Sequence, residues 1–240
     1  RVLRFSSASF DASVFEMIHT FSAGATLVIA DPDIYGGPDL TELLAREEVT
    51  HTLTAPAILG TVDADAVPSL QTAVVGGDVC PPDLVTRFGP QVRFHNSYGP
   101  TETTIITTLT GPLSDPAAIT LGGLLPGVRA LVLDTRLRPV APGVLGELYL
   151  AGPQLARGYH QRPDLTAGRF IADPTTPGQR LYRTGDLVRW QTGSSTPELV
   201  YVGRSDDQVQ LNGIRVEPGE VDTTLTTHPS VDFALTLVHR

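Results

Sequence analysis

Apolar and polar positions in the first half of the chain alternate between short hydrophobic runs and amphipathic stretches. Four runs predict buried strands, at 26–30, 51–55, 72–76 and 92–95. Two stretches between them, 39–45 and 81–87, predict helices, and Asp39 with Glu42 has the pattern of a reciprocal N-terminal cap. Strands that alternate with helices imply right-handed crossovers. Residues 1–118 are therefore predicted to form an α/β unit built on a parallel sheet.

The pattern changes at about residue 119, where short apolar runs follow one another between glycines and prolines without intervening helices. These runs predict antiparallel strands at 131–133, 145–151, 186–190 and 198–202, with a hairpin loop at 191–197. Residues 119–203 are therefore predicted to form a barrel-like antiparallel region. A third pattern follows: a short ribbon over 208–216, a helix over 218–227 and a strand from Val231.

Composition narrows the class of protein. The chain has 240 residues, of which 41% are hydrophobic and 18% charged, as is ordinary for a globular protein. Its formal net charge of −9 argues against a nucleic-acid partner, and no apolar run reaches the roughly 18 residues expected of a membrane span. The single cysteine, Cys80, excludes an internal disulfide and fits a reducing cytoplasm. Because the first residue is not Met and no leader pattern follows it, we expect the chain to be internal to a longer polypeptide.

The stretch from His95 to Thr104, His-Asn-Ser-Tyr-Gly-Pro-Thr-Glu-Thr-Thr, carries the strongest indication of chemistry. It begins where an apolar run ends and then breaks at Gly-Pro. A nucleotide could use three of its side chains: Tyr98 to stack on a base, Thr101 to hydrogen-bond a phosphate, and Glu102 to hold a Mg²⁺ ion that bridges phosphates. The alternative is a surface turn with ordinary polar flanks.

Further motifs stand around this stretch in a fixed order: Phe10-Asp-Ala-Ser13, Gly146 to Gly152, Ala156-Arg-Gly-Tyr159, Tyr182 to Leu187, and Gly203 to Val209. In order and spacing they resemble the core motifs of nonribosomal peptide synthetase adenylation domains, in the adenylate-forming superfamily that includes acyl-CoA synthetases and luciferases. The resemblance covers the chain from its first residues to about Glu220. It implies an ATP- and Mg²⁺-dependent ligase of antibiotic and other secondary metabolism. Such a ligase converts an amino acid to aminoacyl-AMP and loads it onto a carrier-protein thiol.

The resemblance also implies roles for individual residues around the nucleotide. Asp186 would accept hydrogen bonds from both ribose hydroxyls, Tyr201 would pack beside the ribose, and Arg204 would contact ribose and phosphate. Asn96 would bind adenine above the ring of Tyr98. The resemblance also implies that Gly77 and Asp78 bind the nucleotide. It implies a catalytic role for Thr101, Glu102 and Arg204. A turn carboxylate beside Gly185 is the alternative for Asp186, and core packing is the alternative for Tyr201.

Asp11 is the residue that bears most directly on the substrate. It precedes a helical pattern through Val14, Ile18 and Phe21, so its alternative role is that of a helix N-cap. In the peptide-synthetase branch, an aspartate at this place pairs with the α-ammonium group of an amino acid, and CoA ligases generally lack it. The other implied pocket residues are Ala12, Phe15, Leu53, Val74, Gly76, Ser97, Ile105 and Ile106. Because only Ser97 among them is polar, we expect a hydrophobic amino acid, branched aliphatic before aromatic.

The chain also departs from the family pattern. Its 17 basic residues are all arginines, so the family's catalytic lysine has no counterpart here, and the glycine-rich phosphate loop expected before Phe10 is missing. Gln210 and Asn212 replace basic residues that are usual in the ribbon. By the same resemblance, residues 204–240 would comprise a hinge at Asp206 and the truncated start of a small C-terminal α+β domain.

Two interpretations remain open, besides the less favoured CoA ligase. In the first, the chain is the central part of a catalytic adenylation domain. In the second, it is a non-catalytic half of a domain interrupted by an insertion. The implied partners are a carrier protein with a phosphopantetheine arm, the remainder of the adenylation domain and synthetase, and, as an open question, a small helper protein. In either case we expect the isolated chain to be inactive.

Overall fold

The computed structural model describes residues 1–193, 197–211 and 214–237. Its first sheet has seven strands: β1 (Val2–Arg4), β2 (Leu27–Ile29), β3 (His51–Thr54), β4 (Thr72–Val75), β5 (Arg93–Tyr98), β6 (Thr108–Leu109) and β7 (Gly123–Leu124). The strand order is β2-β1-β3-β4-β5-β6-β7. The first five strands are parallel, and β6 and β7 are antiparallel to their neighbours. The predicted parallel sheet is therefore confirmed.

Helices connect the parallel strands and cover both faces of this sheet. They are α1 (Ala12–Ser22), α2 (Gly37–Arg46), α3 (Pro56–Leu59) and α4 (Pro82–Phe88). Side chains alternate along β4, so that Val75 packs with Phe88 of α4 in the main hydrophobic core, whereas Val74 faces the side of α1. Burial of each large apolar side chain in such a core contributes about 1.5–3 kcal/mol. This packing fixes the carboxyl ends of the strands at one edge.

The second half of the chain forms an antiparallel sheet, as predicted. Its strands are β8 (Arg129–Leu133), β9 (Gly146–Ala151), β10 (Phe170–Ala172), β11 (Arg180–Trp190) and β12 (Leu199–Arg204). The order is β10-β11-β9-β8, and β12 pairs with β11. A bridge between Gly122 and Leu199 joins this sheet to the segment that precedes β7. The mixed α/β and antiparallel architecture predicted from the sequence is thus confirmed.

The remaining elements follow the second sheet. A short helix, α5 (Pro163–Arg169), lies between β9 and β10, in the region predicted to lack helices. A two-stranded ribbon of β13 (Val209–Leu211) and β14 (Ile214–Val216) comes next, then α6 (Pro218–Thr226). The strand predicted from Val231 is absent from the described residues up to 237, where no neighbouring strand is present to pair with it. Residues 194–196 of the predicted hairpin loop lie outside the described part.

Several predicted boundaries differ from the observed ones. α2 begins at Gly37 with Gly36 as its N-cap, so Asp39 lies inside the first turn and the predicted capping pair was wrong. Pro38 explains the earlier start, because its fixed φ suits the first turn of a helix. Strand β7 lies beyond residue 118 yet pairs with β6, so the first sheet continues past the predicted boundary.

Helix α1 has an unusual orientation for an amphipathic helix. It buries Ser13, Glu16 and Thr20, whereas Ile18 and Phe21 are more than half exposed. Glu16 explains part of this arrangement, because its Oε1 accepts hydrogen bonds from the backbone of Phe5 and Ser6. Within the residues that the structure describes, no helix has the length and hydropathy needed to cross a membrane.

Candidate active site

Polar side chains of both sheets meet at the carboxyl end of β5. The period of two along a strand places Asn96 and Tyr98 on one face and Ser97 on the other. Asn96 is buried, and its Nδ2 donates a hydrogen bond to the carbonyl of Thr120 at 2.7 Å. Its Oδ1 is buried without a hydrogen-bond partner in the described part of the chain. A buried amide with an unused acceptor is suited to bind a donor such as the amino group of adenine.

Tyr98, Asp186 and Arg204 form the central cluster of the site. The Tyr98 hydroxyl donates to Asp186 Oδ2 at 2.5 Å, and Arg204 Nη1 lies 2.6 Å from Asp186 Oδ1. Strand pairing explains the second contact, because Asp186 of β11 lies opposite Arg204 of β12. Burial raises the pKa of Asp186, although Arg204 and Tyr98 act in the opposite direction. A carboxylate has about four acceptor positions, so two remain for further donors such as a ribose diol.

Arg204 also joins this cluster to the predicted hinge. Its Nε donates to Asp206 Oδ1 at 2.7 Å, and Arg169 Nη2 donates to Asp206 Oδ2 at 2.9 Å. Burial raises the pKa of Asp206, but the hydrogen bonds from Arg204 and Arg169 outweigh it and leave that pKa below its ordinary value. Asp206, the predicted hinge residue, is therefore held by two arginines in this conformation.

Gly185 allows the close approach of these charged groups. Its φ of +81° is in the left-handed region, and a Cβ here would lie 2.6 Å from both Arg204 Nη2 and Asp206 Oδ2. A side chain at this position would strain the backbone and press against the Arg204–Asp206 pair beside Asp186. The Thr-Gly-Asp motif therefore has a steric explanation in addition to its carboxylate.

Glu102 forms a second cluster beside the first. It lies in a 3₁₀ turn, Thr101–Thr103, which Gly99 and Pro100 connect to β5. Glu102 is buried, whereas Thr101 is exposed. Its Oε1 accepts hydrogen bonds from the Tyr159 hydroxyl at 2.6 Å and from Arg215 Nη1 at 2.9 Å. Burial raises the pKa of Glu102, but Tyr159 and Arg215 outweigh it and lower that pKa below the ordinary value. Glu102 is thus held ionised.

Glu102 has one carboxylate oxygen that could bind a cation. The second carboxylate oxygen, Oε2, is buried and has no hydrogen-bond partner among the described residues. The same residues contain no group of three or more histidine, cysteine or acidic side chains that could enclose a metal ion. A Mg²⁺ ion at Glu102 would therefore take most of its ligands from water and phosphate, as is common at nucleotide sites.

Sequence reasoning did not identify Tyr159 and Arg215 as partners of Glu102. Tyr159 was visible only as part of the Ala-Arg-Gly-Tyr motif, and Arg215 lies 113 positions from Glu102. No local pattern indicates contacts over such separations. The motif order was the only available signal for Tyr159, and Arg215 had none.

Asp11 lies at the N-terminus of α1, as predicted. It occupies the N-cap position with helical backbone angles, yet its side chain makes no capping hydrogen bond in the described helix. The N-cap alternative therefore does not account for the carboxylate. Ala12 follows as the first residue of the helix, and Phe15 lies one turn further along.

Three of the predicted pocket residues line one cavity between α1 and the first sheet. Phe15, Leu53 and Val74 border this space, which has a volume of about 260 Å³. Its lining was expected to be apolar, but His51, Arg93 and His95 also border it. His51 precedes Leu53 by two positions along β3, and Arg93 and His95 precede Ser97 by four and two positions along β5. They face the cavity because of strand alternation.

The other predicted pocket residues lie nearer the carboxyl ends of the strands. Ser97 Oγ donates to the carbonyl of Val75 at 2.9 Å, and a Cβ at Gly76 would collide with that hydroxyl. Ile105 has a φ of 67°, and it follows Thr104 at 61°. Two successive left-handed residues place strain directly after the Glu102 turn. Ile106 follows, half-buried like Ile105.

Two further predicted nucleotide contacts lie at the edges of the site. Gly77 and Asp78 follow Gly76 in the loop after β4, and Asp78 Oδ1 accepts a hydrogen bond from the backbone of Val79 at 2.7 Å. Tyr201 of β12 packs against the core of the antiparallel sheet together with Tyr98. Of the residues predicted in the ribbon, Gln210 lies opposite Arg215 in β13, and Asn212 lies outside the described residues.

Comparison with known proteins gives a consistent result. The family of AMP-binding enzymes matches residues 1–160. The chain is 49% identical over 239 residues to a protein described as a probable non-canonical nonribosomal peptide synthetase, CymA, of Salinispora arenicola, covering 98% of this chain and 3% of that protein. It is 46% identical over 236 residues to novobiocin biosynthesis protein H of Streptomyces niveus, covering 98% and 39% respectively. The chain therefore spans well under half the length of either relative.

Solved structures resemble the whole chain. One is NpsA-ThdA, an artificially fused adenylation–PCP di-domain from Klebsiella oxytoca, with a TM-score of 0.85 and 28% identity over 100% of this chain and 49% of that one. Another is PA1221, an NRPS protein containing adenylation and PCP domains, with the same TM-score and identity over 100% of this chain and 50% of that one.

Proposed function

The chain belongs to the AMP-binding enzymes, and we propose that it is the central part of a domain that activates an amino acid with ATP. One observation carries the proposal: Tyr98, Asp186 and Arg204, from two different sheets, converge in direct hydrogen bonds. An aromatic ring, a carboxylate with free acceptor positions and a guanidinium group match a base, a ribose diol and a phosphate. The similarity to peptide synthetases and to adenylation–PCP proteins supports the same activity.

In the proposed reaction, a carboxylate oxygen of the amino acid attacks the α-phosphorus of ATP, and pyrophosphate leaves. The thiol of a carrier protein then attacks the acyl carbon of the aminoacyl-AMP, and AMP leaves. Asp186 and Tyr98 would orient the nucleoside, so that the phosphate lies near Arg204. Thr101 would donate its hydroxyl to a phosphate oxygen. A Mg²⁺ ion held by Glu102 would neutralise phosphate charge.

The proposed substrate is an α-amino acid, because Asp11 offers a carboxylate at the N-terminus of α1 that no capping contact in the described helix uses. A buried ammonium group requires such a partner. For the side chain we propose a hydrophobic group, branched aliphatic before aromatic, enclosed by Phe15, Leu53 and Val74. The cavity of about 260 Å³ has room for either. His51, Arg93 and His95 would lie beyond the far end of that side chain.

The proposal includes the partners and the setting of the reaction. A carrier protein with a phosphopantetheine arm would receive the acyl group, as the adenylation–PCP architecture of the structural relatives suggests. The rest of the domain would supply a lysine, which this chain lacks. We place the reaction in the cytoplasm, where ATP is available.

Amino-acid-dependent exchange of pyrophosphate into ATP tests this proposal. The complete protein that contains this segment would be assayed with a panel of amino acids and with the matching acids that lack the α-amino group. We expect exchange with one or a few hydrophobic amino acids and none with the deaminated acids. Exchange only with deaminated acids would indicate an acyl or aryl ligase, and no exchange with any acid would favour a non-catalytic half-domain.

A further inference from the structure

The ribbon that follows the hinge contacts the predicted metal ligand directly. Arg215 of β14 places Nη1 2.9 Å from Oε1 of Glu102, 113 positions earlier in the chain. The Glu102 side chain is only 8% exposed, and that of Arg215 is 36% exposed. This ion pair joins the segment after Asp206 to the turn after β5. It is therefore a contact between the two parts that the hinge would move.

Residues near Arg215 in the chain hold its side chain in place. Its Nε lies 3.6 Å from Glu217 Oε1, and that carboxylate also accepts a hydrogen bond from Gln208. Burial lowers the pKa of Arg215, but Glu102 outweighs it and leaves that pKa above its ordinary value. The guanidinium group is thus a fixed positive charge aimed at Glu102, held by residues that move with the ribbon.

The second contact to Glu102 does not depend on the ribbon. Tyr159 precedes α5 and donates to the same Oε1 at 2.6 Å. If the ribbon moved away, Tyr159 would still orient the carboxylate, but the buried negative charge would lose its positive partner. An unpaired buried charge is costly, so another cation is needed at Glu102 when Arg215 is absent.

We propose that Arg215 is a positioning residue that pairs with Glu102 when the ribbon is docked and gives way to the metal ion during adenylation. The proposal rests on the function proposed above. Two cations on one carboxylate repel each other, so binding of either disfavours the other. Metal and nucleotide would therefore release the ribbon. After pyrophosphate and metal leave, Arg215 would return to Glu102 and hold the ribbon beside the acyl-adenylate while the carrier thiol attacks.

The test uses the complete protein and three variants: Arg215→Gln, Arg215→Lys and, as a matched control, Arg136→Gln in the exposed turn between β8 and β9. Without the competing guanidinium, Arg215→Gln should reach half-maximal pyrophosphate exchange at a Mg²⁺ concentration at least about fivefold lower, the lower end of usual coupling strengths. Its thioester formation should fall by at least the same factor. Arg215→Lys should recover part of the wild-type Mg²⁺ dependence and part of the wild-type thioester formation. The control Arg136→Gln should match the wild type in both measurements.

A distance measurement provides a readout that is independent of turnover. Spin labels at Thr135→Cys and Thr223→Cys, both exposed, report the position of the ribbon and α6 relative to the antiparallel sheet. In the wild type, Mg²⁺ with AMP should change the distance distribution, and in Arg215→Gln the changed distribution should be present without ligand. Unaltered Mg²⁺ dependence and unaltered distances in Arg215→Gln would overturn the inference. If the wild type shows no exchange with any amino acid, the proposed function fails, whereas the spin-label result still decides the role of Arg215.

Discussion

Asp11 and Asp186 are two carboxylates with different surroundings, and we propose different tasks for them. Asp11 lies at the N-terminus of α1 with no capping hydrogen bond in the described helix. Asp186 is buried, and both its oxygens accept hydrogen bonds, from Tyr98 and Arg204. We therefore expect substitution of Asp11 to affect the amino acid and substitution of Asp186 to affect the nucleotide.

Asp11→Ala in the complete protein should abolish amino-acid-dependent pyrophosphate exchange and leave ATP binding nearly unchanged. Removing the partner of a buried charge costs about 3–5 kcal/mol, which corresponds to a loss in kcat/KM of at least about a hundredfold. Asp33→Ala, in an exposed turn, serves as the control and should behave like the wild type. Near-normal kcat/KM in Asp11→Ala would show that another group binds the ammonium.

Asp186→Ala should weaken ATP binding and remove most of the difference between ATP and 2′-deoxy-ATP. The reason is that the carboxylate, and no other proposed contact, accepts hydrogen bonds from the ribose hydroxyls. The affinities of both nucleotides for both proteins form a cycle that isolates this interaction. Equal discrimination before and after the substitution would remove Asp186 from the ribose site.

At the scale of elements, the segment around Asp206 joins two parts of the chain. Asp206 follows β12, and its carboxylate pairs with Arg204 and Arg169. Two substitutions can distinguish the effect of these ion pairs from the effect of backbone rotation at Asp206. Asp206→Pro fixes φ near −65° and removes an amide donor. We expect it to spare one half-reaction and to slow the other by at least about tenfold.

Asp206→Ala is the matched control for the hinge, because it removes both ion pairs without restricting φ. The two half-reactions are measured separately, as pyrophosphate exchange and as thioester formation on the carrier protein. If the Pro variant impairs both equally, or neither, the rotation occurs elsewhere in the chain. If the Ala variant reproduces the Pro variant, the ion pairs and not the backbone are responsible.

The turn between β10 and β11 provides an element-scale prediction about stability. Asp173 is buried, and its Oδ1 accepts hydrogen bonds from the backbone of Thr175 and Thr176, while Arg129 pairs with Oδ2. Burial raises the pKa of Asp173, but the hydrogen bonds of Thr175 and the pairing with Arg129 outweigh it and lower that pKa to about 2. The resulting stability is present above the ordinary pKa of 3.8 and is lost as pH falls through about 2.

Asp173→Ala should therefore lower the free energy of unfolding by about 1–3 kcal/mol at neutral pH, and the deficit should shrink as pH falls below about 4. Urea unfolding of the complete protein at several pH values measures this. Asp164→Ala removes an exposed ion pair with Arg162 and serves as the control, which should destabilise the protein much less than Asp173→Ala does. A deficit that does not depend on pH would mean that packing, and not the carboxylate, anchors the turn.

The elements show which features of the fold the sequence could predict. Local hydrophobic runs such as 72–76 were sufficient to predict four of the five parallel strands, because burial on both faces leaves a continuous apolar signal. Strand β1 (Val2–Arg4) was not predicted. Helix α5 was missed, since its short turn after Pro163 lies among strand-like segments. The orientation of α1 could not be predicted either. The buried Glu16 accepts hydrogen bonds from the backbone of Phe5 and Ser6, which lie outside the helix, so the pattern within the helix does not indicate its burial.

The site shows a similar division. Residues within one motif, such as Asn96, Tyr98 and Glu102, could be proposed as neighbours because a strand and its following turn hold them together. The pairing of Asp186 with Arg204 depends on strand register, and the contact of Glu102 with Arg215 depends on the position of the ribbon. Neither dependence leaves a local pattern. The motif order assigned Asp186 and Arg204 to the same nucleotide without predicting their direct contact, and nothing indicated the contact of Glu102 with Arg215.

At the scale of the whole molecule, the chain combines the proposed nucleotide-binding residues with two features that bear on its behaviour in isolation. It holds no lysine, and Ile18, Phe21 and Ile29 expose apolar surface around α1 and β2. We expect the 240 residues alone to be poorly soluble and to form no detectable aminoacyl-adenylate. Loss of one charge-stabilising donor typically costs about 10²–10³ in rate. Robust exchange by the purified segment would show that another group, such as Arg204, replaces the lysine.

The central claim is that this chain belongs to a domain in which an amino-acid carboxylate attacks the α-phosphorus of ATP. Transfer of heavy oxygen tests it most directly. The complete protein would be incubated with ATP, its carrier protein and an amino acid labelled with heavy oxygen at both carboxylate positions, and the products would be analysed by mass spectrometry. We predict that the AMP carries a single labelled oxygen and that the carrier thioester keeps the other. Unlabelled AMP, or label in inorganic phosphate with release of ADP, would contradict the account.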